Sequence, residues 1–490
     1  MGAPRRRAPR WVGVGVALLS VFLSANLSAN AARADTSLAM PVDKVGEAAA
    51  YTLALTDGPE GSESSSAEST VSAPAEETPL SRYFRCPTPA RPRRLYVQCV
   101  GQPFDSVVET LSRDWAGFRA QLSRLGITPI AAYTAQLMGN PSGGEHRGFT
   151  YSGSLDLRVD WDLHTLLGVP GLSFNVGASW LSGKSLSAQD IGNVFVVQSV
   201  FSGTDTISLQ QMYLQQQLWN GALTIAAGRL APGNTFASLP VFTNYLSGGI
   251  NPVPGSLAIN DPVFAQSPPG VEWGAHAIYK LTRSLDVTAA VYNTNPKAAA
   301  GSDHGVNFAL QQGNRGVLTV VEMDYAVDLG STGMPGQYTI GGSYDSNAFN
   351  SLSDPHATVG GNWALYAMFQ QMVYRDGGPG SRRGLTVWGE VAVSPKQSAS
   401  TIPYFLGGGI SYAGLIPGRA NDIASVGVIS GLFSRYISGA SAETLIEANY
   451  QVMVTPWLSG TPSIQYVIKP SGNSRIGNAL VLGVQFAVTF

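Results

Sequence analysis

The chain has 490 residues with 30 basic and 32 acidic side chains, a formal net charge of −2, and charged residues making up only 13% of the whole. That share is about half of what ordinary soluble domains carry, and so balanced a charge argues against a basic nucleic-acid-binding face. Although 44% of the residues are hydrophobic, no run of about eighteen apolar residues occurs after the N-terminal leader, so no helix there is expected to span a bilayer.

At the N-terminus, Arg5, Arg6, Arg7 and Arg10 precede an apolar run from Trp11 to Leu23, and Ala32-Arg33-Ala34 offers a small-x-small cleavage site. This is the layout of an export signal over residues 1–34. A membrane anchor is the other reading, but the run is short and turns Ser- and Asn-rich after Leu23. Cleavage after Ala34 removes five arginines and no acid, taking the net charge from −2 to −7.

Residues 35–103 read as a disordered linker. From Asp35 to Ser81 there are nine acids against Lys44 alone, and Glu, Ser, Pro and Ala leave almost nothing to bury. The folded remainder is therefore close to neutral. The two cysteines of the chain, Cys86 and Cys99, lie in FRCPTPARPRRLYVQC. An exported chain with two cysteines most simply pairs them, and closing so short a loop contributes roughly 3 kcal/mol. A metal site would need more ligands than this stretch holds.

An amphipathic helix is expected over residues 104–126. Leu111, Trp115, Phe118, Leu122 and Leu125 form one stripe at helical spacing, and Gly126 supplies a stop. Its simplest role is to cap the periplasmic end of a barrel built from the remaining chain.

From Ile127 the period becomes two. Leu155, Leu157, Val159, Trp161 and Leu163 alternate with Ser154, Asp156, Arg158, Asp160 and Asp162. The pattern recurs with Glu272, His276 and Lys280, with Glu322 and Asp324, and with Trp388 and Glu390, each set opposed by apolar neighbours. Segments of this kind, bounded by turn residues, number roughly 16. The last, GNALVLGVQFAVTF, puts Leu480, Leu482, Val484, Phe486, Val488 and Phe490 on one side and Gly483 and Gln485 on the other. One face thus meets lipid and the other lines a lumen, so residues 127–490 are expected to form an all-β, transmembrane antiparallel barrel in the outer membrane of a Gram-negative-type cell. SLQQMYLQQQLW, with glutamines on both parities, leaves its outward face undecided. The insertion from Ala231 to Pro269, dense in Pro, Gly and Asn, is long enough to be functional. It either folds inward to narrow the pore or forms an external flap.

The segments DWAGFRAQLSRLGI, YSGSLDLRVDWDLHTLLGVPG, GALTIAAGRLAPGNTFA, HGVNFAL, GNWALYAMFQQMVYR, GLIPGRANDI, YQVMVTPWLSGTPSIQYVIKP and NALVLGVQFAVTF occur in this order between Asp114 and Phe490. In that order they resemble the carbohydrate-selective porins of the OprB family. The resemblance implies a 16-stranded barrel that passes sugars such as glucose by diffusion, and a C-terminal strand read by the barrel-assembly machinery.

A sugar channel needs polar wall groups that exchange hydrogen bonds with hydroxyls without trapping the solute. On lumen parity these are Asp156, Arg158, Asp160, Glu272, His276, Lys280, Glu322, Asp324, Trp388, Glu390 and Glu447. Arg229, ending AGRL beside the long insertion, is the leading constriction cation, although its parity matches Leu223 and Ile225 unless the strand ends or bulges there. The bland reading of each is a wall residue holding a network. The expected partners are sugars, outer-membrane lipid and the assembly machinery, with no nucleic acid. A general porin without sugar preference is the main competing reading. An outer-membrane hydrolase is the other, but there is no G-x-S-x-G elbow and no H-E-x-x-H motif. No cofactor is expected.

Overall fold

Period-two alternation over stretches this long can satisfy its backbone only by pairing, and in lipid only by pairing into a closed ring. The computed structural model describes residues 111–112, 115–200, 205–265, 271–295, 303–310, 316–330, 333–378 and 381–490. The expected export signal, the acidic linker and the Cys86–Cys99 pair lie outside the described residues.

The strands are β1 (Ile127–Gly144), β2 (Phe149–Asp162), β3 (Leu172–Gly183), β4 (Thr206–Leu218), β5 (Leu223–Leu230), β6 (Glu272–Lys280), β7 (Leu285–Thr294) and β8 (Gly316–Leu329). They continue with β9 (Met334–Asn350), β10 (Thr358–Arg375), β11 (Gly384–Val393), β12 (Tyr404–Ala413), β13 (Ile423–Leu432), β14 (Ala442–Thr455), β15 (Leu458–Ile468) and β16 (Gly477–Thr489). Each pairs antiparallel with the next, and β16 pairs with β1 to close the barrel. Closure gives both the first and the last strand a partner on each side.

The two faces divide as the alternation requires. Leu157, Met323, Val391, Leu482 and Phe486 are exposed on the outer surface, whereas Glu322, Glu447, Val481 and Gln485 are buried inside. In the glutamine-rich strand a bulge settles which residues face outward. Pairing of β3 with β4 slips between Gly177 and Ala178, skipping Gln210, so that Ile207 and Leu214, of opposite parity, are both exposed.

One rim carries the tight connections 219–222, 281–284, 330–333 and 456–457 together with the C-terminus; the other carries the long ones 184–205, 231–271 and 295–315. Barrels of this class keep short turns on the periplasmic side. The 231–265 stretch folds inward, as one of the two readings expected. Residues 184–200, which the alternation did not single out, do the same. Phe195, Phe236, Phe242, Tyr245 and Phe264 from these segments pack with Trp388, Phe405, Ile429 and Leu445 of the wall in one apolar core inside the barrel. Glycines on the inner face make the room. A Cβ at Gly431 would lie 2.5 Å from Phe195, and one at Gly427 would lie 2.8 Å from Tyr245.

The third long connection repairs the wall. Because β5 is only 8 residues long, it covers β4 from Met212 onward and leaves the earlier part of β4 without a ladder partner on that side. Residues 303–310 fill the gap. The Leu209 N–H donates to the His304 carbonyl at 2.9 Å, and Val306, Phe308 and Leu310 are exposed on the outside like strand residues.

Of the expected 104–126 helix, the described residues hold a 3-10 turn at Trp115–Gly117 and helix α1 (Phe118–Arg124). Leu111, Trp115, Phe118 and Leu125 are exposed, and Arg119 is the buried residue. The reason lies in Arg119, whose Nη2 donates to the Phe490 carbonyl at 3.0 Å and to the Pro129 carbonyl at 3.3 Å. That bond pins the polar side of the helix to the barrel seam.

Candidate functional site: the lumen and its inserted segments

The inner wall is not uniform. On the β8–β16 side, carboxylates are engaged with backbone N–H groups of the inserted segments. Glu447 accepts from Leu246 N at 2.8 Å and Ser247 N at 2.9 Å, and from Asn449 Nδ2 at 2.7 Å. Glu322 accepts from Ala237 N at 2.6 Å and from the Tyr366 hydroxyl at 2.8 Å. Tyr366 reaches across because its neighbour is Gly341, where a Cβ would lie 2.4 Å from the Tyr366 ring. Glu443 accepts from Phe195 N at 2.7 Å and Val194 N at 2.9 Å. A carboxylate receiving two backbone donors is a strong, orienting acceptor, and each such donor would otherwise be stranded in a dry interior. These residues act as latches.

Trp388 joins the same set. Its Nε1 donates to the Tyr245 hydroxyl at 2.8 Å, and Phe242 and Tyr245 meet its ring edge-on at 5.3 and 5.4 Å. Glu390 is buried on the same wall, against Gly407. Within the longer insertion, burial pushes the Asp261 carboxyl well above its ordinary range, with repulsion from Asp345 adding to it.

On the β2–β4 side most inward polar groups are buried as well, and Thr150 and Ser152 bond Gln198 of the first insertion, but a few neighbours stay partly accessible. Register places Asp160, Asn175 and Tyr213 in one row across β2, β3 and β4, and Arg158, Gly177 and Gln211 in the next. Arg158 and Asp160 form an ion pair at 3.2 Å, and the Arg158 side chain retains 23% of its accessible surface. Tyr213 and Gln211 are half-buried beside them. Asp156, one row on, is half-buried and accepts from the hydroxyls of Ser154 (2.9 Å) and Ser179. Lys280, Asp286 and Asp324 form a further row across β6–β8; Asp324 accepts from the Thr339 hydroxyl at 2.7 Å. Glu272 and His276 are buried in the β6 wall.

Arg229 lies apart from both sets. It continues the ladder, opposite Trp273, and is fully buried. Gly228 before it holds a φ of 147°, a backbone irregularity where strict alternation ends. The Arg229 Nη1 donates to the Asn307 carbonyl at 3.0 Å, tying down the segment that closes the gap above β5. Among the described residues, no group of three or more His, Cys, Asp or Glu is placed to hold a metal ion.

Parity found the wall but not the latches as such. Glu443, Tyr245, Tyr213 and Gln211 were missed. The apolar run NVFVVQSV within 184–205 was the available signal for the second insertion, since an extracellular loop has no reason to be so apolar.

A family model for carbohydrate-selective porins, the OprB family, matches residues 146–490. The chain belongs to the OprB family. Porin B of Pseudomonas aeruginosa is 26% identical over 422 residues, covering 77% of this chain and 90% of the relative. A putative porin, QuiX, of Acinetobacter baylyi is 24% identical over 422 residues, covering 77% and 92%. Among solved structures, Pseudomonas putida OprB at high pH superposes with a TM-score of 0.72 at 23% identity, covering 79% of this chain and all of that one. That likeness concerns the fold. As an OprB porin, the chain is an outer-membrane barrel for diffusion of sugars.

Proposed function

We propose that glucose-like monosaccharides pass along the β2–β4 side of the lumen, with the two inserted segments as the opposite bank. The observation that carries this reading is the asymmetry of the wall. Carboxylates on β8 and β14 are engaged with backbone donors of the insertions, whereas Arg158, paired with the buried Asp160, keeps 23% of its side-chain surface. Sugar hydroxyls both donate and accept, so a paired cation and anion offer charge-assisted partners without creating a net charge that would favour ions. Tyr213, partly buried against the apolar core of the insertions, adds an aromatic ring beside the pair. A wall residue exchanges such contacts quickly enough for release, as diffusion requires. On this reading the barrel is a passive channel and performs no chemistry. Phe490 and the outward row of β16 serve assembly, with lipid as the partner of the outer face.

The test is glucose block of ion current through single channels. Arg158→Ala should reduce the block at a given glucose concentration while open conductance changes little. Block unchanged in Arg158→Ala and in Tyr213→Ala would remove this strip from the sugar path.

A further inference from the structure

A cleft of about 390 Å³ opens on the outside of the barrel, near the periplasmic rim, between the N-terminal helical turn and the wall of β1–β3. Its floor is made of outward-facing side chains: Leu157, Val159 and Trp161 of β2, with Val176 and Ala178 of β3. Register sets Leu157 against Ala178, Val159 against Val176 and Trp161 against Phe174, so the floor is a continuous apolar sheet face. Trp115 forms the far wall, and Arg119 and Phe490 close the end. The volume falls at the lower end of the range for ligand pockets, roughly 300–1,000 Å³.

We propose that this cleft holds one acyl chain of a phospholipid from the periplasmic leaflet. Three observations choose that occupant. The floor continues the lipid-facing rows of the barrel without a break, so the cleft is reached from the bilayer. Trp115, which lines it, and Phe118, stacked on Trp115, are exposed, and the rings of Trp161 and Phe174 meet at a tilt, 5.5 Å apart; aromatic rings at this level are what the membrane–water interface selects. Trp115 also holds a left-handed φ of 46°, unfavourable for a bulky residue. Strain of that kind persists where surroundings require it, and here it sets the indole across from the wall. The Arg119 guanidinium, engaged with the Phe490 and Pro129 carbonyls, puts positive charge at the end of the cleft. The bound chain would thereby brace the seam where β16 meets β1.

Native mass spectrometry of the full-length protein, purified in detergent and incubated with phosphatidylethanolamine, tests this. The native chain should keep one phospholipid through collisional activation that strips the others. Ala178→Trp and Ala131→Trp, each filling the cleft from a different strand, should lose that adduct. Ala227→Trp, on the lipid face of β5 away from the cleft, should retain it. No adduct on the native chain, or an equal adduct on all four proteins, would overturn the proposal.

Discussion

Replacing Glu447 with leucine is the sharpest perturbation of the inner architecture. Glu447 is fully buried and receives the Leu246 and Ser247 N–H groups at 2.8 and 2.9 Å. Leucine fills nearly the same volume but accepts nothing, so both donors are left in a dry core. Each stranded backbone donor costs about 1–3 kcal/mol, so together the seated insertion loses roughly 2–6 kcal/mol relative to a displaced one. At about 1.4 kcal/mol per tenfold change, the displaced population rises between about 30-fold and 10⁴-fold. Planar-bilayer recording of single channels reads this directly. Glu447→Leu should show a higher-conductance level, visited often, that is rare in the parent protein. Glu447→Gln, which keeps one acceptor oxygen, should fall between. Identical conductance histograms for all three proteins would refute the latch reasoning.

Two other outcomes are expected from the same geometry. Gly431→Val places a side chain where Phe195 sits, a Cβ 2.5 Å from its ring; overpacking of this kind costs roughly 1–3 kcal/mol, and the thermal unfolding midpoint should fall. An unchanged midpoint would mean that the 184–200 segment yields at no cost. Deleting Phe490 removes the carbonyl that Arg119 holds and the backbone N–H that Phe490 donates to Ala131 at 2.9 Å. Cell fractionation should then find less folded barrel in the outer membrane with export intact; equal folded barrel would argue against a role in assembly.

The barrel was legible because its physics is repetitive. A single lipid-facing row demands an apolar residue at every second position, so roughly sixteen segments could be counted from Ile127 to Phe490, and the barrel has sixteen strands. Glu322, Trp388 and Glu447, placed on the inward parity by the sequence, are buried in the structure. Their roles were not legible. Parity says that Glu447 faces inward, but only the fold brings Leu246 and Ser247, two hundred positions away in the chain, to its oxygens. For Arg229, motif and charge suggested a constriction cation; in the structure its side chain is buried and its Nη1 donates to the Asn307 carbonyl of the returning 303–310 segment. The N-terminal stripe was recognised as amphipathic, yet in a membrane protein an apolar stripe can face lipid as well as a core. Trp115 and Phe118 face outward for that reason.

Liposome swelling tests the central claim most directly. Vesicles containing the mature protein should swell in glucose faster than in a disaccharide, and faster than in an amino acid of similar size. Equal rates in all three would contradict carbohydrate selectivity and favour a general pore; no swelling would contradict an open channel altogether.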